Sequence, residues 1–182
     1  MMSRNELGSY LNDLGLTGLG AEVGVAYGHN AKQILSTWRG SGLFLIDPYS
    51  LKECGEYIDD AASIDFDRCL YKCRDELRQF DLRAIHIRAT SDNAFRLLRG
   101  TQLDFVYLDG NHHNPQISRD LRNYWQIVKP GGVLCGHDYY NTQTPTYRCE
   151  VKDSVDEFLK EIEYHKFFTT PICSSWYIEK LR

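Results

Sequence analysis

Short apolar segments that alternate with longer amphipathic segments constrain the fold of this chain more than any other feature. The apolar segments are bounded by glycine, aspartate or proline and predict strands at 18–25, 43–46, 82–88, 103–108 and 131–135. Helical spacing of apolar residues predicts helices at 7–14, 29–39, 60–80, 91–98 and 115–128, with Ser3 and Glu6 as a capping box before the first. Strands apolar enough to be buried on both faces, and separated by helices, form a mostly parallel sheet with helices on both faces.

The last third of the sequence has a different pattern. Residues 139–150 are expected to be irregular, and a helix carrying Val155 and Phe158 follows them. Two strand-like runs, 167–170 and 175–178, are too close together to hold a crossover helix, so we expect them to pair antiparallel. The prediction is a doubly wound α/β sheet of seven strands, mostly parallel, with an antiparallel last strand. It uses nearly all 182 residues, so we expect a single domain over 1–182.

Composition narrows the classes of partner and the compartment. The chain has 21 Lys and Arg against 25 Asp and Glu, a net charge of −4, which argues against a nucleic-acid partner. Charged or turn residues interrupt every apolar run before the ~18 residues of a membrane helix, and we expect no membrane association. Six scattered cysteines do not resemble a disulfide framework, and no signal-peptide stretch begins the sequence. We expect a cytoplasmic protein in which Cys69 and Cys73 are buried thiols on one helix face.

Functional loops of such a sheet lie at the carboxyl ends of the strands. After the first strand, Gly24 and Gly28 stand four apart, which lets the backbone approach a ligand closely. This spacing fits neither the dinucleotide fingerprint nor a phosphate-binding P-loop. Because Glu22 stands two residues before the first glycine, the turn suits a cationic ligand better than a pyrophosphate.

The next two strands also end at polar residues. Asp47 follows the second strand, where a carboxylate can accept two hydrogen bonds from a ribose diol or can simply start a turn. Ser91 and Asp92 follow the third strand, where they could contact a ligand or cap the next helix.

Ionisable groups are concentrated after the fourth and fifth strands. Asp109 and His112 follow the fourth, and His137 and Asp138 follow the fifth. Neighbouring strands lie about 4.8 Å apart, so these four groups are expected to meet at one edge of the sheet. Consecutive strand residues point to opposite faces, so His137 and Asp138 can both face this site only if the chain turns at Gly136.

These motifs resemble the class I S-adenosylmethionine-dependent methyltransferases, which have a Rossmann-like fold. The resemblance is strongest to the small bacterial group related to macrocin O-methyltransferase and the cephalosporin hydroxylase-like proteins. It covers roughly residues 18–140, and it rests on four segments: 22–28 (EVGVAYG), Asp47, 103–112 (LDFVYLDGNH) and 129–139 (KPGGVLCGHDY).

The resemblance implies roles for individual residues. The cofactor S-adenosylmethionine would be bound by Glu22, Gly24, Ala26, Tyr27, Gly28, Asn30, Asp47, Ser91, Asp92 and Asp109. The catalytic residues would be Asp109, His112, His137 and Asp138. Relatives that use Mg²⁺ have acidic or amide groups at the positions of Asp109, His137 and Asp138. An imidazole among these ligands favours a softer ion or a catalytic base, so the use of a divalent metal stays open.

We therefore expect O-methylation of a small hydroxylated molecule. Either His112 or His137 would take the acceptor's proton, or a divalent ion would lower the pKa of its hydroxyl. Two alternatives are a nicotinamide-dependent oxidoreductase and a cofactor-binding module without turnover. Acceptor specificity would come from loops near 48–60 and 139–150, or from a partner subunit, as in a homodimer. In the second loop, Tyr139, Tyr140 and Tyr147 either line the acceptor site or pack the loop.

Overall fold

The computed structural model describes residues 6–50, 65–145, 147–170 and 174–182. Its helices are α1 (Leu7–Asp13), α2 (His29–Thr37), α3 (Phe66–Leu77), α4 (Ser91–Leu98), α5 (Gln116–Ile127) and α6 (Val151–Leu159). Its strands are β1 (Leu19–Val23), β2 (Gly42–Ile46), β3 (Ala84–Ile87), β4 (Leu103–Leu108), β5 (Val128–Gly136), β6 (Asn141–Gln143), β7 (Arg148–Glu150), β8 (Tyr164–Thr169) and β9 (Trp176–Lys180). Within these described ranges, no helix is long and apolar enough to cross a bilayer.

The main sheet has seven strands in the order β3-β2-β1-β4-β5-β9-β8. Strands β1 to β5 are parallel, and β9 runs antiparallel to both β5 and β8. This confirms the predicted fold class. The register pairs Val23 with both Ile46 and Leu108, Ile46 with Ile87, and Leu108 with Gly136, so five strands end side by side. We call this edge, at the carboxyl ends of β1 to β5, the rim.

Helices cover both faces of the sheet, as predicted. On one face α1, α2 and α3 bury Leu11, Ile34 and Cys73 against alternate β4 side chains such as Phe105. On the other, α4, α5 and α6 pack against the intervening β4 side chains. Strand β4 is therefore buried at every position, which explains why it is apolar except for Asp104.

Some predicted boundaries are wrong. Leu82 and Arg83 belong to a 3₁₀ turn (Arg78–Arg83), so β3 is shorter than its apolar pattern. The segment 139–150 contains the hairpin β6–β7 and is not irregular. Helix α5 begins at Gln116, with Pro115 as its N-cap, and ends at Ile127, so it is one residue shorter than predicted at each end. Several predicted positions lie outside the described residues: Ser3, Cys54, Cys173 and residues 60–64 of the predicted third helix. Cys69 and Cys73 are buried as expected.

Candidate active site

The turn after β1 is held against both neighbouring strand ends. The Gly24 amide donates to the Ile46 carbonyl, and the Asp109 amide donates to the Val23 carbonyl. Gly24 has φ +85°, and a Cβ built there would lie 2.1 Å from the carbonyl oxygen of Asp109. Glycine is therefore required here for contact between two protein loops as well as for room at the rim. Ala26 and Gly28 also have positive φ, so the turn is tightly wound before α2 begins.

Glu22 and Asn30 meet behind this turn. Glu22 is only 1% exposed, and its Oε1 accepts a hydrogen bond of 2.9 Å from Asn30 Nδ2. The structure thus joins two predicted cofactor residues from β1 and α2. Tyr27 is half-buried, with its ring under the Lys72 ammonium, and Ala26 is exposed. A buried carboxylate at the base of a turn favours a cationic ligand, because a cation offsets its desolvation.

Asp47 lies at the rim but is used by the protein itself. Its Oδ2 accepts hydrogen bonds from the amides of Val25 and Ala26, at 3.0 and 2.9 Å, and its Oδ1 accepts one from Tyr49, at 2.8 Å. A carboxylate has about four acceptor sites, and the described residues occupy three of those of Asp47. The bond from Tyr49 agrees with the turn-starting alternative, and the bonds from Val25 and Ala26 show that Asp47 also shapes the glycine-rich turn.

The structure brings Asp109, His112, His137 and Asp138 together, as predicted. His112 Nε2 lies 3.7 Å from Asp109 Oδ1 and 3.5 Å from Asp138 Oδ2, and His137 Nδ1 lies 2.6 Å from Asp138 Oδ1. All four side chains are at most 21% exposed. They form one continuous cluster of two carboxylates and two imidazoles between β4 and β5.

The turn that makes this cluster is not at Gly136. Gly136 stays in β5, paired with Leu108 and Trp176, and a Cβ there would lie 2.5 Å from the Leu108 carbonyl oxygen. Instead Asp138 takes up the left-handed conformation, with φ +57°. Aspartate tolerates this conformation better than most residues, and it lets the carboxylate of Asp138 reach the His137 ring.

Three members of the cluster have the chemistry of a metal site. Asp109, His137 and Asp138 each offer a ligand atom, and these atoms lie within 4.8 Å of one another. Two carboxylates suit Mg²⁺ or Mn²⁺, whereas the imidazole suits a softer ion. Two of these groups already contact each other, since His137 Nδ1 and Asp138 Oδ1 are 2.6 Å apart.

The hairpin β6–β7 covers the cluster. The Glu150 amide donates to the His112 carbonyl, and Cys149 Sγ donates to the Asp138 carbonyl at 3.6 Å. The hydroxyls of Tyr140 and Tyr147 are 3.0 Å apart. Burial raises the pKa of both tyrosines and the Asp138 carboxylate raises it further, so both hydroxyls are neutral and can donate.

Tyr139 has a different role from its neighbours. Its hydroxyl donates to Asp156 on α6, and its ring lies 5.7 Å from the Phe167 ring. It therefore packs the loop, whereas Tyr140 and Tyr147 face the cluster. The other predicted specificity loop, 48–60, lies mostly outside the described residues.

Ser91 and Asp92 begin α4 at the rim, but their side chains turn toward α5. Thr90 is the N-cap, since its side chain accepts from the Asn93 amide at 3.4 Å, so neither Ser91 nor Asp92 caps the helix. Ser91 Oγ accepts a 2.9 Å hydrogen bond from Gln116 Nε2. Asp92 faces Asn123 and Arg119 of α5 at 3.4 and 3.7 Å. A ligand that contacts these two side chains would therefore lie close to α5 as well.

Sequence reasoning missed Asp120. This residue is 3% exposed in α5, and its Oδ1 accepts a 2.9 Å hydrogen bond from Gln116 Nε2. Burial raises the pKa of its carboxyl to about 7. The available signal was its spacing, because residue 120 shares the buried face of the helix with Ile117 and Tyr124.

Comparisons with known proteins agree on the fold. A family model described as a methyltransferase domain matches residues 21–139. No curated protein matches the chain. Similar solved structures include an rRNA methylase from Streptococcus thermophilus, with 13% identity, TM-score 0.64 and coverage of 100% of this chain and 99% of that one. An O-methyltransferase from Bacillus cereus in complex with SAH has 12% identity, TM-score 0.65 and coverage of 99% and 83%.

A third similar structure is the N-methyltransferase NodS from Bradyrhizobium japonicum WM9, with 10% identity, TM-score 0.65 and coverage of 97% and 96%. At these identities the likeness concerns the fold alone. The three names include rRNA, O- and N-methylation, so the fold does not decide the acceptor.

Proposed function

Because the chain belongs to the methyltransferase-domain family, and is thus an S-adenosylmethionine-dependent methyltransferase, we propose that it methylates a hydroxyl group of a small molecule. The observation that carries the proposal is the close contact between His137 and Asp138 at the rim, where Nδ1 of the imidazole lies 2.6 Å from Oδ1 of the carboxylate. An alcohol or phenol must lose a proton when it is methylated, and this pair can accept one. The motif resemblance to the group of macrocin O-methyltransferase supports the same class of acceptor.

The residues around the glycine-rich turn fit this cofactor. Bound S-adenosylmethionine supplies an electrophilic methyl group on a positively charged sulfur. Buried Glu22 and the rim carboxylates Asp47 and Asp109 favour such a cation electrostatically. Glycines at positions 24 and 28 let the turn pack closely against the loop after β4 and against α3, which sets the shape of the turn. We assign Glu22, Gly24, Ala26, Tyr27, Gly28 and Asn30 to the methionine side and Asp47 to a ribose hydroxyl.

His137 is the better base of the two histidines. Its Nδ1 lies 2.6 Å from Asp138 Oδ1. With the hydrogen on Nδ1, facing this carboxylate, Nε2 keeps a lone pair that can accept the hydroxyl proton. As the acceptor oxygen bonds to the methyl carbon, the carbon–sulfur bond breaks and the proton moves to Nε2 of His137. Asp138 then stabilises the imidazolium, as the carboxylate does in a catalytic triad.

His112 is better suited to hold the carboxylates. Its Nε2 faces both Asp109 and Asp138, within 3.7 Å. A lone pair in that position would be repelled by two carboxylates, so the hydrogen is favoured on Nε2, where it faces them. His112 would thereby keep Asp138 oriented toward His137.

A divalent ion is the alternative means of activating the hydroxyl. Asp109, His137 and Asp138 would hold it, and it would lower the pKa of a bound acceptor hydroxyl. The His137–Asp138 bond would then break, since both groups would turn to the ion. A chelator therefore distinguishes the two.

A small acceptor is favoured over a nucleic acid. The chain carries a net charge of −4, and the hairpin β6–β7 lies directly over the cluster. A large polyanion would need clustered basic groups at this opening. Tyr140 and Tyr147 offer neutral hydroxyl donors there, which suits a polar, uncharged molecule such as a phenol or a sugar.

The test begins with calorimetry of S-adenosylmethionine, S-adenosylhomocysteine and NAD⁺ binding. We expect binding of the first two at micromolar concentrations and no binding of NAD⁺. Transfer of labelled methyl groups to a panel of catechols, phenols and hydroxylated sugars then follows, with and without EDTA. His137→Ala should abolish transfer, while His165→Ala, on the exposed strand β8, should keep it.

Each outcome separates one reading from another. Cofactor binding without transfer to any acceptor would favour a binding module. Loss of transfer in EDTA, restored by one added metal, would favour the metal route. Full transfer by His137→Ala would eliminate His137 as the base.

A further inference from the structure

The first residues of α4 and α5 are joined by a hydrogen bond at the rim. Gln116 Nε2 donates to Ser91 Oγ and to Asp120 Oδ1, both at 2.9 Å. The Tyr124 hydroxyl donates to the Ser91 carbonyl at 3.0 Å. Ser91 is thus held at both its side chain and its backbone by groups of α5.

Asp120 is the innermost group of this network. It is 3% exposed, whereas Ser91 and Gln116 are half-buried and reach the surface of the rim. A change at Asp120 is therefore transmitted outward to the first turn of α4 through Gln116 and through Ser91 itself. The mechanism proposed above does not use this buried carboxyl.

We propose that Asp120 is a positioning residue of the cofactor site, which acts through Gln116 to hold Ser91 and the first turn of α4 where the adenosine end of the cofactor binds. This inference rests on the proposed function, because it takes the resemblance-based placement of Ser91 beside the adenine as its premise. It adds a residue that lies outside the motifs of that resemblance.

The protonation state of Asp120 is part of this positioning role. Burial raises the pKa of Asp120 to about 7, and the Asp92 carboxylate on α4 adds to the rise. Ser91 and Gln116, by hydrogen bonding, and the Arg119 guanidinium act in the opposite direction. The Tyr124 hydroxyl, the other ionisable group that faces Asp120, is itself neutral because burial raises its pKa. Near neutral pH, Asp120 therefore exchanges between its neutral and charged forms.

Cofactor binding should shift the protonation equilibrium of Asp120. An adenosine seated against Ser91 and Gln116 would cover the two groups through which water reaches the network. Loss of water disfavours the charged carboxylate, so the pKa of Asp120 should rise further when the site is filled. Binding should then take up a fraction of a proton, and affinity should fall as pH rises above 7.

Calorimetry of S-adenosylhomocysteine binding at pH 7.5, in phosphate and in Tris, measures this proton directly. If binding raises the pKa of Asp120 by about one unit, the wild-type protein takes up about half a proton. Affinity should then be about tenfold tighter at pH 6 than at pH 9. Asp120→Asn should remove this share of the uptake and flatten the pH dependence. Asp75→Asn, at an exposed position of α3, should retain both.

The comparison of the two variants isolates Asp120 from other groups. Protons taken up elsewhere, for example at the histidines of the cluster, are common to wild type and Asp120→Asn and cancel in the difference. A purely structural role would lower the unfolding midpoint of Asp120→Asn without changing its proton uptake relative to wild type. Equal uptake in wild type and Asp120→Asn overturns the inference.

The remaining outcomes are equally decisive. Binding of S-adenosylhomocysteine without proton uptake in the wild type overturns this inference and leaves the proposed function standing. Failure of the wild type to bind either S-adenosylmethionine or S-adenosylhomocysteine overturns both. Should Asp120→Asn not fold, the affinity of the wild type between pH 6 and pH 9 decides, since a flat profile contradicts the proposal.

Discussion

Substitution of Gly24 by alanine tests the central packing claim about the site. The residue has φ +85°, and an alanine Cβ would meet the carbonyl oxygen and carbon of Asp109 at 2.1 and 2.5 Å. Both atoms belong to the loop after β4 that carries Asp109 and His112 of the candidate site. The substitution therefore forces the loop after β4 away from the turn after β1.

Two separable costs determine the size of the effect. A left-handed conformation costs a non-glycine residue about 1–2 kcal/mol. Displacing a packed backbone segment to relieve an overlap costs about 1–3 kcal/mol more, by analogy with overpacked cores. We expect Gly24→Ala to lower the free energy of unfolding by about 2–5 kcal/mol, a large share of the stability of an ordinary domain.

Two other glycines provide matched controls. Gly15 has φ +74° but open space around its Cβ position, so Gly15→Ala carries only the conformational cost. Gly100 has open space and no left-handed φ, so Gly100→Ala should leave the free energy of unfolding almost unchanged. Urea denaturation of all three variants measures the costs, and calorimetry with S-adenosylhomocysteine measures the site. Equal destabilisation by Gly24→Ala and Gly15→Ala, with unchanged affinity, would refute the overlap argument.

Three further predictions concern stability, each measured by urea denaturation. Asp104→Asn removes a buried carboxylate that accepts from the Gly18 amide and the Lys129 ammonium, and should lower the free energy of unfolding by about 3 kcal/mol. The exposed Asp75→Asn should cost under about 0.5 kcal/mol. Equal costs for the two substitutions would contradict this prediction. Arg83→Met removes three hydrogen bonds to carbonyls in the last turn of α2 and just after it, and should cost about 2–3 kcal/mol. Exposed Arg78→Met should be nearly neutral, and a neutral Arg83→Met would refute this prediction. Because folding raises the pKa of Asp120, the folded protein binds more protons at this residue than the unfolded chain between about pH 4 and 7. The free energy of unfolding should therefore fall over that pH range in the wild type and fall less in Asp120→Asn. Identical dependence on pH in the two proteins would exclude this.

The order of strands and helices could be predicted from sequence because periodicity is local. Strand β4 and helix α4 have the predicted bounds, because turn or capping residues flank each of them on both sides. Helix and strand ends near position 82 could not be placed, because a 3₁₀ turn and a strand satisfy the same apolar pattern there. The hairpin β6–β7 was missed because its short strands have no apolar alternation.

The candidate site shows the same division. That Asp109 and Asp138 meet follows from topology, since parallel neighbouring strands end at one edge. That His137 contacts Asp138 depends on a left-handed residue at 138, whereas the sequence predicted a turn at Gly136. For Asp47 the sequence left a ligand role and a turn role open, and the structure shows hydrogen bonds from three backbone amides of the protein.

The sequence by itself determined the sheet, the two covered faces, and which polar residues would reach the rim, because strand and helix periods and chain connectivity are local properties. Only the tertiary structure decided how those residues share their hydrogen bonds. Partners such as Glu22 with Asn30, or Asp120 with Gln116 and Ser91, depend on side-chain directions and on the spacing of helices. A buried polar group takes whatever partner packing places within about 3 Å, and that is set only when the whole core has formed.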